Sequence, residues 1–210
     1  MDVQKLIEKV PHVYHLTSSD NIPLILRNRT LRSTSSMVLE SNLSEADKKS
    51  LLHSRREDHV VIDVNGTSIS IRDQRPISIK SLTKCLENGM TSGEFIKLLN
   101  DRVFFWPSLK RLSIHYGRYA HENPAILKIS LNDLLAENEE ILLCHLNSGA
   151  TRCHPKWGGA PPPRGVDTFK PISVYNEGLI RLAEVTVLES CTVPISAMIG
   201  ESPEGPWEMF

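Results

Sequence analysis

The chain has 210 residues, 40% hydrophobic and 23% charged, the balance of an ordinary globular protein able to bury one substantial core. Lys and Arg number 24 against 25 Asp and Glu, a formal charge of -1, so no global field recruits nucleic acid or an anionic membrane. No apolar run reaches the length of a membrane span, the opening MDVQKLIEKV lacks the core of a signal peptide, and the scattered Cys85, Cys144, Cys153 and Cys191 fit reduced thiols in a cytoplasm.

Val3, Leu6 and Ile7 form one helical stripe within residues 2–9, which Pro11 ends. Val13 to Thr17 then reads as a strand. Alternation puts Val13, His15 and Thr17 on one face and Tyr14 and Leu16 on the other, so a ring nitrogen and a hydroxyl share a side. A core histidine bonded to backbone and one wall of a ligand pocket both carry this signature. Ser18 or Ser19 caps the next helix, with Pro23 in its first turn and Ile22, Ile25 and Leu26 facing inward. Ser44 followed by Asp47 opens a further helix reaching about Ser54.

HVVIDV-NG-TSISI places two β-branched runs around Asn65-Gly66, the dipeptide a type I′ turn prefers, and predicts a hairpin. Arg72 and Arg75 follow in RDQRP, where a guanidinium is suited to a phosphate and Pro76 stops pairing. Thr91 and Glu94 make a capping box ahead of the stripe Phe95, Ile96, Leu98 and Leu99. Val103 to Trp106 reads as a short strand, and Pro107 opens a helix reaching about Tyr119. Phe104, Phe105 and Trp106 suit either a core strand or the stacking of a ring, and Lys110, Arg111 and Arg118 are locally grouped cations.

Ala125 to Ile129, Glu140 to His145 and Leu179 to Leu188 read as further strands. In the last, Glu184 shares a face with Leu182 and Ile180, and a carboxylate there is costly unless paired or used. Glu184 is therefore the leading catalytic candidate, with an ion pair to Arg181 or Lys128 as the structural alternative. The loop 147–169 is long enough to suggest function, and its Arg152, Trp157 and Arg164 are candidates to stack on or clamp an acceptor base. Cys144-His145 and Cys153-His154 match no finger or ribbon spacing, so no metal site is expected. Walker, dinucleotide and G-x-S-x-G patterns are absent. The irregular interleaving of strands and helices around a hairpin indicates an α+β class with a mixed or split sheet, in a single domain over 1–210 with a tail, 201–210, that docks back or stays loose.

Two of these stretches, YHLTSSDNIPLILRNRTL and LAEVTVLESCTVPISAMI, resemble the DarT-type branch of ADP-ribosyltransferases. The first is similar to that family's Tyr-His-x-Thr followed by an Asn-containing helix. The second is similar to its Ala-Glu strand followed by Val-Pro and a short helix ending in Ile. VFFWPSLKRL stands where the family has a central aromatic strand, and the resemblance runs from about 13 to 199. It implies an ADP-ribosyltransferase-like split mixed β-sheet core with surrounding helices, binding NAD as co-substrate in a cleft between two small sheets. His15 and Thr17 would bond a ribose or the nicotinamide side, Phe105 or Trp106 would stack on nicotinamide, and Arg72 or Arg75 would meet the pyrophosphate. Glu184 would engage the nicotinamide ribose and stabilise an oxocarbenium-like transition state.

The implied acceptor is a nucleobase of DNA or RNA, or a protein side chain, and the implied setting is a toxin or phage-defence effector with an antitoxin partner. The pattern of arginine-directed toxins is not met: Ser-Thr-Ser occurs at Ser33–Ser35, but Leu182 stands where Glu-x-Glu needs its first carboxylate. A catalytically inactive nucleotide-binding or interaction module of the same fold competes with the enzyme reading, and a zinc-stabilised nucleic-acid binder is a third. A Glu184 side chain turned into the cleft with His15 favours catalysis; an outward pair with Arg181 or Lys128 favours the module.

Overall fold

In a computed structural model describing residues 1–151 and 161–210, α1 (Val3–Lys9), whose Lys5 N–H is accepted by the Asp2 carboxylate at 2.9 Å, leads into β1 (His12–Ser18). Ser18 caps a 3-10 turn at Ser19–Asn21 that continues as α2 (Ile22–Asn28), followed by β2 (Thr30–Arg32), α3 (Thr34–Glu40) and α4 (Glu45–His53). The hairpin is β3 (Val60–Val64) and β4 (Thr67–Ile71). Asn65 and Gly66 turn it with φ of 53° and 79°, the left-handed pair that a type I′ turn requires. Next come α5 (Ile79–Thr83), α6 (Ser92–Asn100), β5 (Arg102–Phe105), α7 (Leu109–Tyr116), β6 (Pro124–Ser130), α8 (Leu131–Glu137) and β7 (Ile141–Cys144). The chain closes through β8 (Lys170–Pro171), β9 (Glu184–Leu188), β10 (Ser190–Thr192), β11 (Met198–Gly200) and β12 (Glu208–Met209).

This is a mixed α+β architecture with several antiparallel sheets. One four-stranded sheet has the order β1-β6-β11-β12, a second has β5-β9-β7-β8, and β10-β2 and β3-β4 are two-stranded ribbons. The two larger sheets meet where the end of β5 touches β1. Tyr14 N–H donates to Trp106 O at 3.0 Å and Trp106 N–H donates to Tyr14 O at 2.8 Å, a single antiparallel bridge. Because that join is one residue pair wide, the sheets diverge from it rather than form one continuous surface. The main core, including Val13, Val103, Phe105, Leu127, Ile129 and Val185, fills one side of the junction.

Several local readings change. Leu26 is 50% exposed, since the short α2 buries only Ile25. Pro107 lies ahead of α7 rather than in its first turn, since Ser108 is the cap, and the helix stops at Tyr116. Leu179–Arg181 is a 3-10 turn with Ile180 99% exposed, so the last long strand begins only at Glu184. Ser33 caps α3, which runs from Thr34, so the Ser-Thr-Ser tripeptide opens a helix. The segment ending in Met198-Ile199 pairs as β11 with β6 instead of coiling into a helix, because β6 has an open edge there. Helices α3, α5 and α8 were not read from the sequence, although Leu131, Leu134 and Leu135 of α8 stand at helical spacing. The tail docks: β12 pairs with β11, and the Trp207 ring lies 6.0 Å from that of Tyr14. Among the described residues, no helix is long and apolar enough to cross a membrane.

Candidate functional site

A cavity of about 300 Å³ opens beside the junction of the two large sheets. Its lining joins His15 and Thr17 of β1, Arg72 just past the hairpin, the β5 segment through Trp106, and Glu184 at the start of β9. Four stretches far apart in sequence thus reach one space.

Glu184 owes its position to register. On β9, Val185 lies opposite Phe105 and Thr186 opposite Phe104, so Glu184 falls level with Trp106, where β5 hands over to β1. On its other side it faces Cys144 of β7. The residue is 4% exposed. One carboxylate oxygen accepts the Ser148 N–H at 3.0 Å, and the other, Oε2, is buried without a hydrogen-bond partner among the described residues. Arg181, the outward partner considered from sequence, pairs with Glu177 at 3.2 Å instead. Burial pushes the Glu184 carboxyl up to about 7, opposed by the Ser148 hydrogen bond and by the charges of Arg164 and Arg111.

His15 sits on the opposite sheet with its Nδ1 at 2.9 Å from Phe104 O. A carbonyl only accepts, so Nδ1 carries the proton and Nε2 is left as an acceptor. Burial pulls this imidazole down to about 4, with the Arg72 charge adding to the effect, so it is neutral at physiological pH. Thr17 accepts from Asn21 Nδ2 at 3.2 Å, and Asn21 Nδ2 also donates to Ser70 O of β4 at 3.3 Å, tying the hairpin to β1. Its own hydroxyl proton remains available.

Arg72 crosses the space between hairpin and sheet. Its Nη2 donates to Thr17 O at 2.9 Å, its guanidinium lies 4.5 Å over the Tyr119 ring, and its Nε and Nη1 have no hydrogen-bond partner among the described residues. Glu122 approaches Nη1 only to 3.9 Å. Arg75 is not brought to the cavity. Its side chain turns outward to Asp58 at 2.9 Å, because the Asp73 carboxylate accepts the Arg75 N–H at 2.8 Å and turns the chain there. At this end a buried network holds the hairpin exit: Asp73 N–H donates to His59 Nδ1 at 3.2 Å, so His59 Nε2 carries the proton that bonds Glu122 at 2.8 Å.

Of the two aromatic candidates, the strand separates their roles. Phe105 is 1% exposed and packed in the main core, its ring 5.6 Å from that of His15. Trp106 is half-buried on the face shared with Glu184, in a series of rings: His115 lies 4.9 Å from Trp106 and 5.1 Å from Tyr119. Burial, reinforced by Arg72, Arg118 and His15, pulls His115 down to about 3. His115 and Tyr119 were not singled out from sequence, although their four-residue spacing after an aromatic strand was a usable signal. Residues 147–149, at the start of the loop whose length suggested function, also line the cavity, although none of the three was named as a site residue.

Arg164, expected on an acceptor loop, is instead 4% exposed. Its Nε donates to Ser148 O at 3.1 Å, Nη2 to Asn147 O at 3.3 Å and Nη1 to Pro162 O at 3.0 Å. Every face of the guanidinium is used inside the protein, so it does not reach an acceptor. Arg152 and Trp157, the other two expected there, lie outside the described residues, as do Cys153 and His154. Cys144 is buried and its thiol is pushed far up by burial and by Glu184. Among the described residues, no group of three or more His, Cys, Asp or Glu side chains is arranged to hold a metal.

No curated protein matches this sequence. A family model described as a family of unknown function (DUF7002) matches residues 11–192, a stretch that holds every cavity residue named above, and the chain belongs to that family.

Proposed function

We propose that the protein is an NAD-dependent ADP-ribosyltransferase, with the cleft between its two four-stranded sheets as the NAD site. The observation that carries this reading is Glu184: a buried carboxylate with one oxygen unpartnered among the described residues, lining the same cavity as His15, Thr17, Arg72 and Trp106. An acid with an ordinary structural role is paired, whereas this one faces a space.

The remaining groups suit the parts of NAD. Arg72 keeps two buried nitrogens, Nε and Nη1, without a hydrogen-bond partner among the described residues, the chemistry a pyrophosphate needs. His15 Nε2 accepts and the Thr17 hydroxyl donates, a pair complementary to ribose hydroxyls. Trp106 presents the half-buried ring for stacking. In the reaction the bond from the ribose anomeric carbon to the nicotinamide nitrogen breaks, its electron pair leaves with nicotinamide, and positive charge develops on the ribose. Ionised Glu184 stabilises that charge, with greater effect in a buried site than in water. The acceptor nucleophile, on a nucleobase or a protein side chain, then takes the ribose and releases a proton.

The test is nicotinamide release from NAD by the purified protein beside Glu184→Gln. Release abolished by the substitution supports the transferase; a folded protein that neither releases nicotinamide nor binds NAD overturns it. Binding without release leaves the inactive nucleotide-binding module of the same fold in its place.

A further inference from the structure

We propose that Arg164 is the positioning residue of Glu184, holding the Asn147–Ser148 peptide so that its N–H is presented to the carboxylate. The inference deepens the transferase reading and relies on it only for the catalytic readout. Glu184 has a single hydrogen-bond donor among the described residues, the Ser148 N–H at 3.0 Å, and this comes from a segment without helix or strand. Something must fix that peptide plane, since a loop amide left to itself samples many orientations. Arg164 does so from behind, donating to the carbonyls of both Asn147 and Ser148 at 3.3 and 3.1 Å.

Arg164 is itself fixed through its backbone. Its N–H donates to Cys85 O at 2.7 Å and its carbonyl accepts from Glu87 N–H at 2.9 Å, a bridge to the segment after α5. Its third nitrogen donates to Pro162 O, 3.0 Å away. Thr151, further along the same loop, is pinned to Ser78 by bonds of 2.7 and 3.1 Å. The three carbonyls each meet a different nitrogen of the Arg164 guanidinium, a fan of acceptors around one fork. A planar guanidinium with five N–H groups satisfies such a fan, while a lysine ammonium on a flexible stem does not reach all of it. The guanidinium also places a positive charge near the carboxylate, favouring its ionised form.

Arg164→Lys keeps the charge and loses the fan; Arg164→Met loses both. The direct readout is the midpoint of Glu184 ionisation, obtained in each background from the pH dependence of the stability difference between the protein and its Glu184→Gln counterpart. In Arg164→Lys this midpoint is expected to move above that of the parent. The acid limb of nicotinamide release moves with it, and kcat falls by up to about 100-fold at unchanged KM for NAD, as expected when a reacting group is misplaced by about an ångström. A folded Arg164→Lys protein with the parent's midpoint and the parent's kcat overturns the proposal. If Arg164→Met does not fold, the lysine variant alone decides. If the parent does not cleave NAD, the transferase reading fails while the midpoint still reports: a shift upholds the positioning role and an unmoved midpoint removes it.

Discussion

Burial raises the Glu184 carboxyl to about 7 in the folded protein, whereas an unfolded carboxyl gives its proton up near 4.5. Between those values the folded state holds more protons than the unfolded one, so this group makes stability fall as pH rises through the window. Above it the penalty is complete, roughly 3 kcal/mol at 1.36 kcal/mol per pH unit. Glu184→Gln is therefore expected to be more stable than the parent at pH 8 by up to about that amount, with the gap nearly closed at pH 4.5. Denaturant titrations at the two pH values measure it, and equal stabilities at pH 8 would show that the carboxylate is solvated or paired. The difference must be taken against the variant, because His15 and His115 act the other way. Their folded values, about 4 and about 3, lie below the ordinary 6.5, so their stability is present above 6.5 and is lost as pH falls. In the proposed reaction the same carboxyl acts ionised. Nicotinamide release is expected to rise with pH through about 7, with no contribution from His15 at that pH, and a flat profile from pH 5 to 8 speaks against Glu184 as the working group.

At the scale of elements, the parts that folded as read are those whose signal is local. Thr91 and Glu94 exchange side-chain and backbone bonds at 3.2 and 2.7 Å, a complete capping box that opens α6. Thr91→Ala is expected to cost about 1 kcal/mol in a chemical melt. The β3–β4 turn is equally local. A Cβ on Gly66 meets nothing within 4 Å, so Gly66→Ala tests the backbone alone, at φ 79°. The expected loss is about 1 kcal/mol, and no loss at all would mean that the turn relaxes. The strand at Glu184 was legible only in part. Its alternation was extended back through Ile180, but Gly178 at φ 77° turns the chain into a 3-10 turn that leaves Ile180 in solvent. The inference that Glu184 is buried survived with a different cause: β9 is the interior strand between β5 and β7, buried along both faces.

At the scale of the molecule, the cavity exists because two sheets share one bridge at Tyr14 and Trp106 and then part, with Arg72 reaching across from the hairpin. If that guanidinium holds the pyrophosphate, Arg72→Gln weakens NAD binding by roughly 10- to 100-fold, the worth of a charged hydrogen bond or two. Calorimetry with NAD reads this directly, and unchanged affinity would move the phosphate elsewhere in the cleft.

The sequence by itself determined the α+β class, the hairpin, the two capped helices α4 and α6, and the face shared by His15 and Thr17, because each depends on neighbours within a few residues. It also marked Glu184 as a carboxylate out of place. Only the tertiary structure decided which candidates meet: that Trp106 lines the cavity with a half-buried ring while Phe105 borders it from within the core, that Arg72 enters and Arg75 leaves, and that Arg164 works from inside the protein. Those outcomes turn on strand register and on side-chain bonds that skip over whole elements, such as Arg72 to Thr17 O, and such pairings leave no local pattern to read.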